Sequence, residues 1–197
     1  FEEVAYLILN GELPNKKQLK EFEKKERKER KLSKTLLGDI KKIPKKAHPM
    51  DVARTAVSIM GLEDNETKDN SPKANLRKAM RIFAKTPVAL AAFYRARKGK
   101  KIIPPKTNLS FSENFFHMCF GKVPDKEIVK AFDVSLILYA EHSFNVSTFT
   151  ARTITSSLSD IHGAITGAIA SLKGPLHGGA NEEVMHMMNK IKKPENA

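Results

Sequence analysis

The sequence has no tryptophan, three tyrosines and one cysteine, Cys119. A single thiol excludes an internal disulfide framework and any cysteine-rich zinc site. Set in the apolar run Phe115-Phe-His-Met-Cys-Phe120, it reads as a buried packing residue. No apolar stretch reaches the roughly 18 residues needed to cross a bilayer, so no membrane span is predicted. The apolar start carries Glu2 and Glu3 and no basic leader, unlike a secretory signal, and a soluble intracellular protein is expected. No segment alternates like a strand between hairpin turns. The six histidines form no H-E-x-x-H motif and no pair spaced i, i+4, so no catalytic metal is expected.

What is abundant is positive charge: 35 lysines and arginines against 22 acidic residues, a net +13 over 197 residues. A hydrophobic content of 41% is enough for a globular core. The basic residues gather at 16–34, 41–46 and 95–106. In the first cluster Glu21/Lys25, Glu23/Arg27 and Glu26/Arg30 have the acid four residues ahead of the base, which reads as a solvated helix face. Phe22 is the one aromatic residue within these clusters, too few for a platform for nucleic-acid bases, so no nucleic-acid partner is predicted. A phosphorylated small ligand such as a coenzyme suits the charge better. The chain opens on Phe1 within a helical pattern and stops on the polar run Lys192-Lys-Pro-Glu-Asn-Ala197, and it is expected to be part of a longer polypeptide.

Helical spacing dominates. Pro49 is a first-turn proline; Val52, Ala56, Val57 and Met60 form a stripe that Gly61 is expected to close. Residues 62–71 read as a polar loop. Ser71-Pro72 opens a helix with Leu76, Met80 and Phe83 inward, which Thr86-Pro87 is expected to end or kink. Ser110 and Glu113 have capping-box spacing. Val129, Phe132, Leu136 and Tyr139 share one face of a further helix; 147–158 and 161–172 are two more. The last carries Gly163, Ala164, Gly167, Ala168 and Ala170, small residues that permit close backbone approach. The fold class predicted is all-α, with about nine or ten helices.

Two stretches carry chemistry. In Lys173-Gly-Pro-Leu-His-Gly-Gly-Ala-Asn-Glu182, His177 stands in a bend stiffened by Pro175 and followed by Gly178 and Gly179. Bare glycines let another molecule approach the backbone, and a histidine fixed there could donate to an oxygen gaining charge. The same pattern also fits a plain glycine-rich turn between helices. In Ala140-Glu-His-Ser-Phe-Asn-Val-Ser-Thr-Phe-Thr-Ala-Arg152, His142 is followed by many hydrogen-bonding groups between two apolar helices. Such groups cap helices or line a ligand pocket; capping by Asn145 or Ser147 explains some of them, but not the histidine and Arg152 together. His117 and His186 read as structural or exposed, His48 as a cap or contact, and His162 has no assigned role.

Both stretches, in this order, closely resemble the citrate synthase family, including 2-methylcitrate synthases. So do Phe1-Glu-Glu-Val-Ala-Tyr-Leu-Ile-Leu-Asn-Gly-Glu-Leu-Pro14 and His48-Pro-Met-Asp-Val-Ala-Arg-Thr-Ala-Val57. The resemblance implies a mostly helical homodimer whose large and small domains close over the substrates. It implies condensation of an acyl-CoA with oxaloacetate and hydrolysis of the thioester, with the coenzyme A thioester as cosubstrate and no bound cofactor. Carried over by motif, His177 is the catalytic residue that hydrogen-bonds the thioester carbonyl. His142 binds oxaloacetate with Asn145 beside it, and the Ser147 hydroxyl orients the His177 ring. Glu141, Phe144 and Phe149 lean toward the methylcitrate type, whereas 148–152 and 173–182 equally suit bacterial citrate synthases. A cytoplasmic location is implied, or the mitochondrial matrix in a eukaryote.

The family's site also needs an aspartate base, a second histidine and carboxylate-binding arginines, which follow the His177 motif beyond this sequence. Residues 1–197 are therefore expected to be a partial helical domain, mainly of the large domain, inactive alone. CoA-binding residues cannot be assigned. The alternative is a non-catalytic helical interaction protein with a basic surface.

Overall fold

Six helices begin where a short polar side chain turns back onto the backbone N–H three residues ahead. The capping residues are Asn15, Ser33, Ser71, Ser110, Asn145 and Asp160, each satisfying a donor that helix geometry leaves unpaired. The computed structural model describes residues 1–141 and 143–196. Over these it has α1 (Glu2–Asn10), α2 (Lys16–Glu29), α3 (Lys34–Lys42), α4 (Pro49–Glu63) and α5 (Pro72–Arg97). There follow α6 (Phe111–Phe120), α7 (Lys126–Leu138), α8 (Val146–Ser156), α9 (Ile161–Leu172), α10 (Gly179–Ile191) and a 3-10 turn at Pro194–Asn196. No strand occurs among the described residues, so the fold is all-α as the periodicity predicts. None of these helices is long and apolar enough to cross a membrane.

The long α5 is the axis of the core. It packs against α2, α3, α4 and α6, and its Val88, Ala89, Ala92 and Phe93 meet Leu36, Ile40, Val52, Ala56, Met118 and Cys119. Alanines on this face let the neighbouring helices approach. Cys119 is a free, buried thiol, and burial pushes its pKa up to about 11. α9 lies against α4 on one side and α8 on the other. A methyl group on Gly167 would stand 2.3 Å from Ile154 Cδ1 of α8, so that contact admits only glycine without repacking.

Several sequence expectations are corrected. α5 is not interrupted at Thr86-Pro87 but runs from Pro72 to Arg97. The proline removes one N–H from the ladder, yet burial of Ala84, Val88, Ala89, Ala91 and Ala92 on either side holds the helix together. Its buried face is displaced from the predicted one. Leu76 is exposed, whereas Lys78 is wholly buried and donates to the carbonyls of Thr67 (3.3 Å) and Asp69 (2.6 Å). Gly61 does not close α4, which continues to Glu63; a Cβ at Gly61 would stand 2.8 Å from that of His162 on α9. The helix therefore carries glycine at a crossing, not at an end.

The acid–base ladder of α2 is only partly a solvated face. Glu23 and Arg27 pair at 3.2 Å, but Glu26 and Arg30 are 1% and 2% exposed. Arg30 grips Glu26 at 2.6 Å and donates to the carbonyls of Lys106 (2.7 Å) and Leu109 (2.9 Å). One guanidinium thus ties α2 to the connection before α6. Burial pushes the Glu26 carboxyl up, against the opposing pull of Arg30.

The loop between α4 and α5 is an ordered ion cluster. Arg81 holds Asp64 at 2.8 Å and Glu66 at 2.8 Å, and Arg77 also binds Glu66. Hydrogen bonds from Arg77 and Arg81 hold the Glu66 carboxyl at about 2, far below its usual 4.5. Burial pushes Asp64 up, but hydrogen bonds from Arg81 and the Glu66 N–H leave it lowered overall.

Two outcomes are expected. Arg30→Met strands a buried carboxylate and should lower stability by about 3–5 kcal/mol, whereas Glu26→Leu with Arg30→Met should recover most of it. Denaturant titration of the three proteins checks this. Because the Glu66 pKa is depressed on folding, its contribution is present above about 4.5 and is lost as pH falls toward about 2. Melting temperature against pH should therefore fall more steeply across that window in the native protein than in an Arg77→Gln, Arg81→Gln variant.

Candidate active site

α8 and α9 form a helical hairpin of nearly matched arms, 11 and 12 residues long. Equal rise along both arms returns the chain to the level at which α8 began. The start of α8, with Asn145 and Ser147, is thereby brought beside the end of α9, where the His177 bend starts. The turn between the arms is fastened by Asn70, whose side chain donates to the Leu158 carbonyl at 2.9 Å.

The bend closes on itself. The Gly174 carbonyl accepts from the N–H groups of His177 (2.9 Å) and Gly179 (3.1 Å). A Cβ on Gly178 would stand 2.5 Å from the Leu172 carbonyl, and one on Gly179 would stand 2.9 Å from the carbonyls of Lys173 and Gly174. These two glycines are explained by the chain's own packing, without a ligand. That agrees with the plain glycine-rich turn, one of the two readings of this stretch, and His177 within it is half-buried.

His177 Nε2 lies 2.9 Å from Ser147 Oγ and 3.4 Å from the Ser147 backbone nitrogen. A backbone N–H can only donate, so the tautomer that fits carries a lone pair on Nε2 and its proton on Nδ1. Asn145 caps α8: its Oδ1 accepts from the Thr148 N–H (2.6 Å) and from Ser147 Oγ (2.8 Å). The Ser147 hydroxyl therefore faces two acceptors with one proton. With Oδ1 occupied, the amide Nδ2 is the part of Asn145 left for other partners.

His142 lies outside the described residues. Around it, Glu141 accepts from the Ser143 N–H, Phe144 is fully exposed, and Phe149 is 71% exposed. Arg152 is exposed on α8. Of the other histidines, His117 is half-buried and shifted down, chiefly by burial. His186 is exposed on α10. His162 is fully buried, and its burial lowers its pKa despite Asp64 at 3.6 Å and Asp160 at 3.7 Å. His48 caps α4, its Nδ1 accepting from the Met50 N–H at 3.2 Å.

Four residues beside the bend escaped sequence reasoning as a group. Lys173 Nζ is 2.7 Å from Asp51 Oδ2, and His48 Nε2 is 3.0 Å from Glu182 Oε2. The Asp51 carboxyl is lowered by the Lys173 hydrogen bond, and that of Glu182 by the one from His48. No local signal joins these residues, because the partners are far apart in sequence. A groove of about 400 Å³ lies elsewhere, lined by Tyr6, Phe22, Leu76, Met80, Arg77 and Arg81 among others, and no predicted site residue borders it.

Comparison with known proteins gives consistent results. A family model described as citrate synthase, C-terminal domain, matches residues 1–197. The chain is 50% identical over 197 residues to a 2-methylcitrate synthase of Mycobacterium tuberculosis, covering all of this chain and 50% of that protein. It is 49% identical to a citrate synthase of Mycolicibacterium smegmatis, covering 52% of it. Among solved structures, a citrate synthase of Thermoplasma acidophilum, in a ternary complex with carboxymethyl coenzyme A and oxaloacetate, superimposes with a TM-score of 0.91 at 30% identity over 98% of this chain and 51% of that one. The citrate synthase of Pyrobaculum aerophilum gives a TM-score of 0.90 at 35% identity, covering 98% of this chain and 50% of its own. The chain thus spans about half the length of the curated relatives it matches.

Loss of the Asn145 cap should be measurable by itself. Asn145→Ala is expected to reduce stability by about 0.5–2 kcal/mol, and Asn145→Asp to retain most of it. Equal denaturation midpoints for the native and alanine proteins would show that the cap contributes nothing.

Proposed function

This chain belongs to the citrate synthase family, and we propose that it supplies part of the active site of an acyltransferase. The reaction joins the α-carbon of an acyl-CoA to the keto carbon of oxaloacetate; water then cleaves the thioester and releases CoA. The observation that carries this reading is the placement of His177 Nε2 against Ser147, with Oγ at 2.9 Å and the backbone N–H behind it. That arrangement leaves Nδ1–H as the free donor of the ring.

A thioester α-proton is weakly acidic, and its removal puts negative charge on the carbonyl oxygen. A donor already in position stabilises that charge without rearranging during the reaction. In this proposal His177 Nδ1–H holds the enol or enolate oxygen, and Ser147 fixes the ring. His142 and the Asn145 amide contact oxaloacetate. The base that takes the α-proton and the groups that hold the dicarboxylate come from the remainder of the whole protein. Residues 1–197 are then a partial helical unit, without most of the small domain, and the whole protein is a homodimer. The solved Thermoplasma acidophilum relative bound to oxaloacetate and a coenzyme A derivative supports the substrate class.

Acceptance of both acetyl- and propionyl-CoA is proposed. Relatives named for each product are nearly equally similar, at 50% and 49% identity. One methylene separates the two substrates, worth about 1–3 kcal/mol in an apolar pocket.

In the whole protein, His177→Ala should lower turnover by about 10²–10³-fold with the fold retained. Oxaloacetate-dependent CoA release from acetyl- and propionyl-CoA is the measurement. Full activity in that variant would remove His177 from the mechanism, and CoA release by residues 1–197 alone would contradict the partial-site reading. A whole protein inert with both thioesters would instead favour the non-catalytic helical interaction protein.

A further inference from the structure

We infer that the first turn of α4 is a positioning clamp for His177, a role that rests on the catalytic reading of that histidine. Both ends of the bend are held by this one turn. On the α9 side, Lys173 Nζ meets Asp51 Oδ2 at 2.7 Å. On the α10 side, Glu182 Oε2 meets His48 Nε2 at 3.0 Å. His48 and Asp51 are the cap and third residue of α4, so the two anchor points are rigidly related.

The chemistry of each anchor is specific. Asp51 is itself steadied by Arg54, 2.9 Å from its other oxygen. His48 Nδ1 accepts the Met50 N–H at 3.2 Å, which places the ring proton of the neutral form on Nε2, aimed at Glu182. One imidazole therefore caps α4 and holds α10 at the same time. Between the anchors the bend is stiffened by Pro175 and by the paired acceptance at the Gly174 carbonyl. From the opposite side, Ser147 holds the tip of the ring. The backbone of His177 is thus set from α4 and its imidazole from α8.

Magnitudes separate this role from stability. Lys173 and Glu182 side chains are 38% and 53% exposed, and exposed ion pairs contribute little to folding. Displacement of a reacting group by about 1 Å, by contrast, can lower a rate by about 100-fold. The clamp accordingly acts on the geometry of the bend far more than on whether the chain folds.

The test uses the complete enzyme. Lys173→Met combined with Glu182→Ala should lower kcat by about 10- to 100-fold, with KM for oxaloacetate and melting temperature nearly unchanged. Lys173→Arg with Glu182→Gln, which retain a cation and an acceptor, should restore most of kcat. In a His177→Ala background the Met/Ala pair should lower kcat no further. A crystal structure of the Met/Ala variant should show His177 beyond hydrogen-bond distance of Ser147. An unchanged kcat, an equal loss in the His177→Ala background, or a His177–Ser147 contact that persists would overturn the clamp. The His177–Ser147 contact in that crystal structure is read without turnover, so a failure of the clamp is distinguished from a failure of the catalytic reading, which His177→Ala alone judges.

Discussion

The near contact of α9 with both α8 and α4 is the constraint on which the rest of this arrangement depends. Gly167 lets Ile154 of α8 sit where a side chain would otherwise project, and Gly61 lets His162 of α9 sit against α4. Each glycine in a helix interior costs about 1 kcal/mol relative to alanine. The close approach they permit fixes α8, α9 and α4 with respect to one another. The His177 bend inherits that geometry, because Ser147 stands on α8, Lys173 ends α9, and His48 and Asp51 begin α4.

Charge is distributed by function as much as by solvation. A net charge of +13 leaves many lysines exposed, yet the arginines and lysines that matter structurally are those with carbonyls or paired carboxylates around them. Arg30 satisfies Glu26 and two carbonyls, Lys78 satisfies two more, and Arg81 joins Asp64 to Glu66. Each fastens a connection between helices through its backbone carbonyls or carboxylates. The polar segment between α4 and α5 is ordered for this reason, although its composition alone resembles a solvated loop.

Local features of the fold were legible in the sequence because they are local in cause. The capping residues Asn145 and Ser110 and the first-turn prolines Pro49 and Pro72 each act within a few residues of themselves. Pro87 misled because a deficit of one hydrogen bond was outweighed by burial on both sides of it, a tertiary effect. Glu26/Arg30 misled because helix spacing is the same for exposed and buried pairs. At the candidate site, the two motifs pointed to His177, Ser147 and Asn145, and the α8–α9 hairpin brings these together. Asp51 and Lys173 lie in two separate motifs that give no sign of their pairing, and their meeting depends on how α4 packs against α9. For Gly178 and Gly179 a glycine-rich turn was one legible reading, but the carbonyls that crowd them are not placed by a sequence.

The burial of Cys119 has a practical consequence. The residue is 5% exposed, and burial pushes its thiol pKa up to about 11, so almost none of it is thiolate near neutrality. A thiol-reactive dye added to this chain would find no ready nucleophile on it. In the CoA-release assay of the proposed reaction, residues 1–197 would then contribute a quiet background to any sulfhydryl signal.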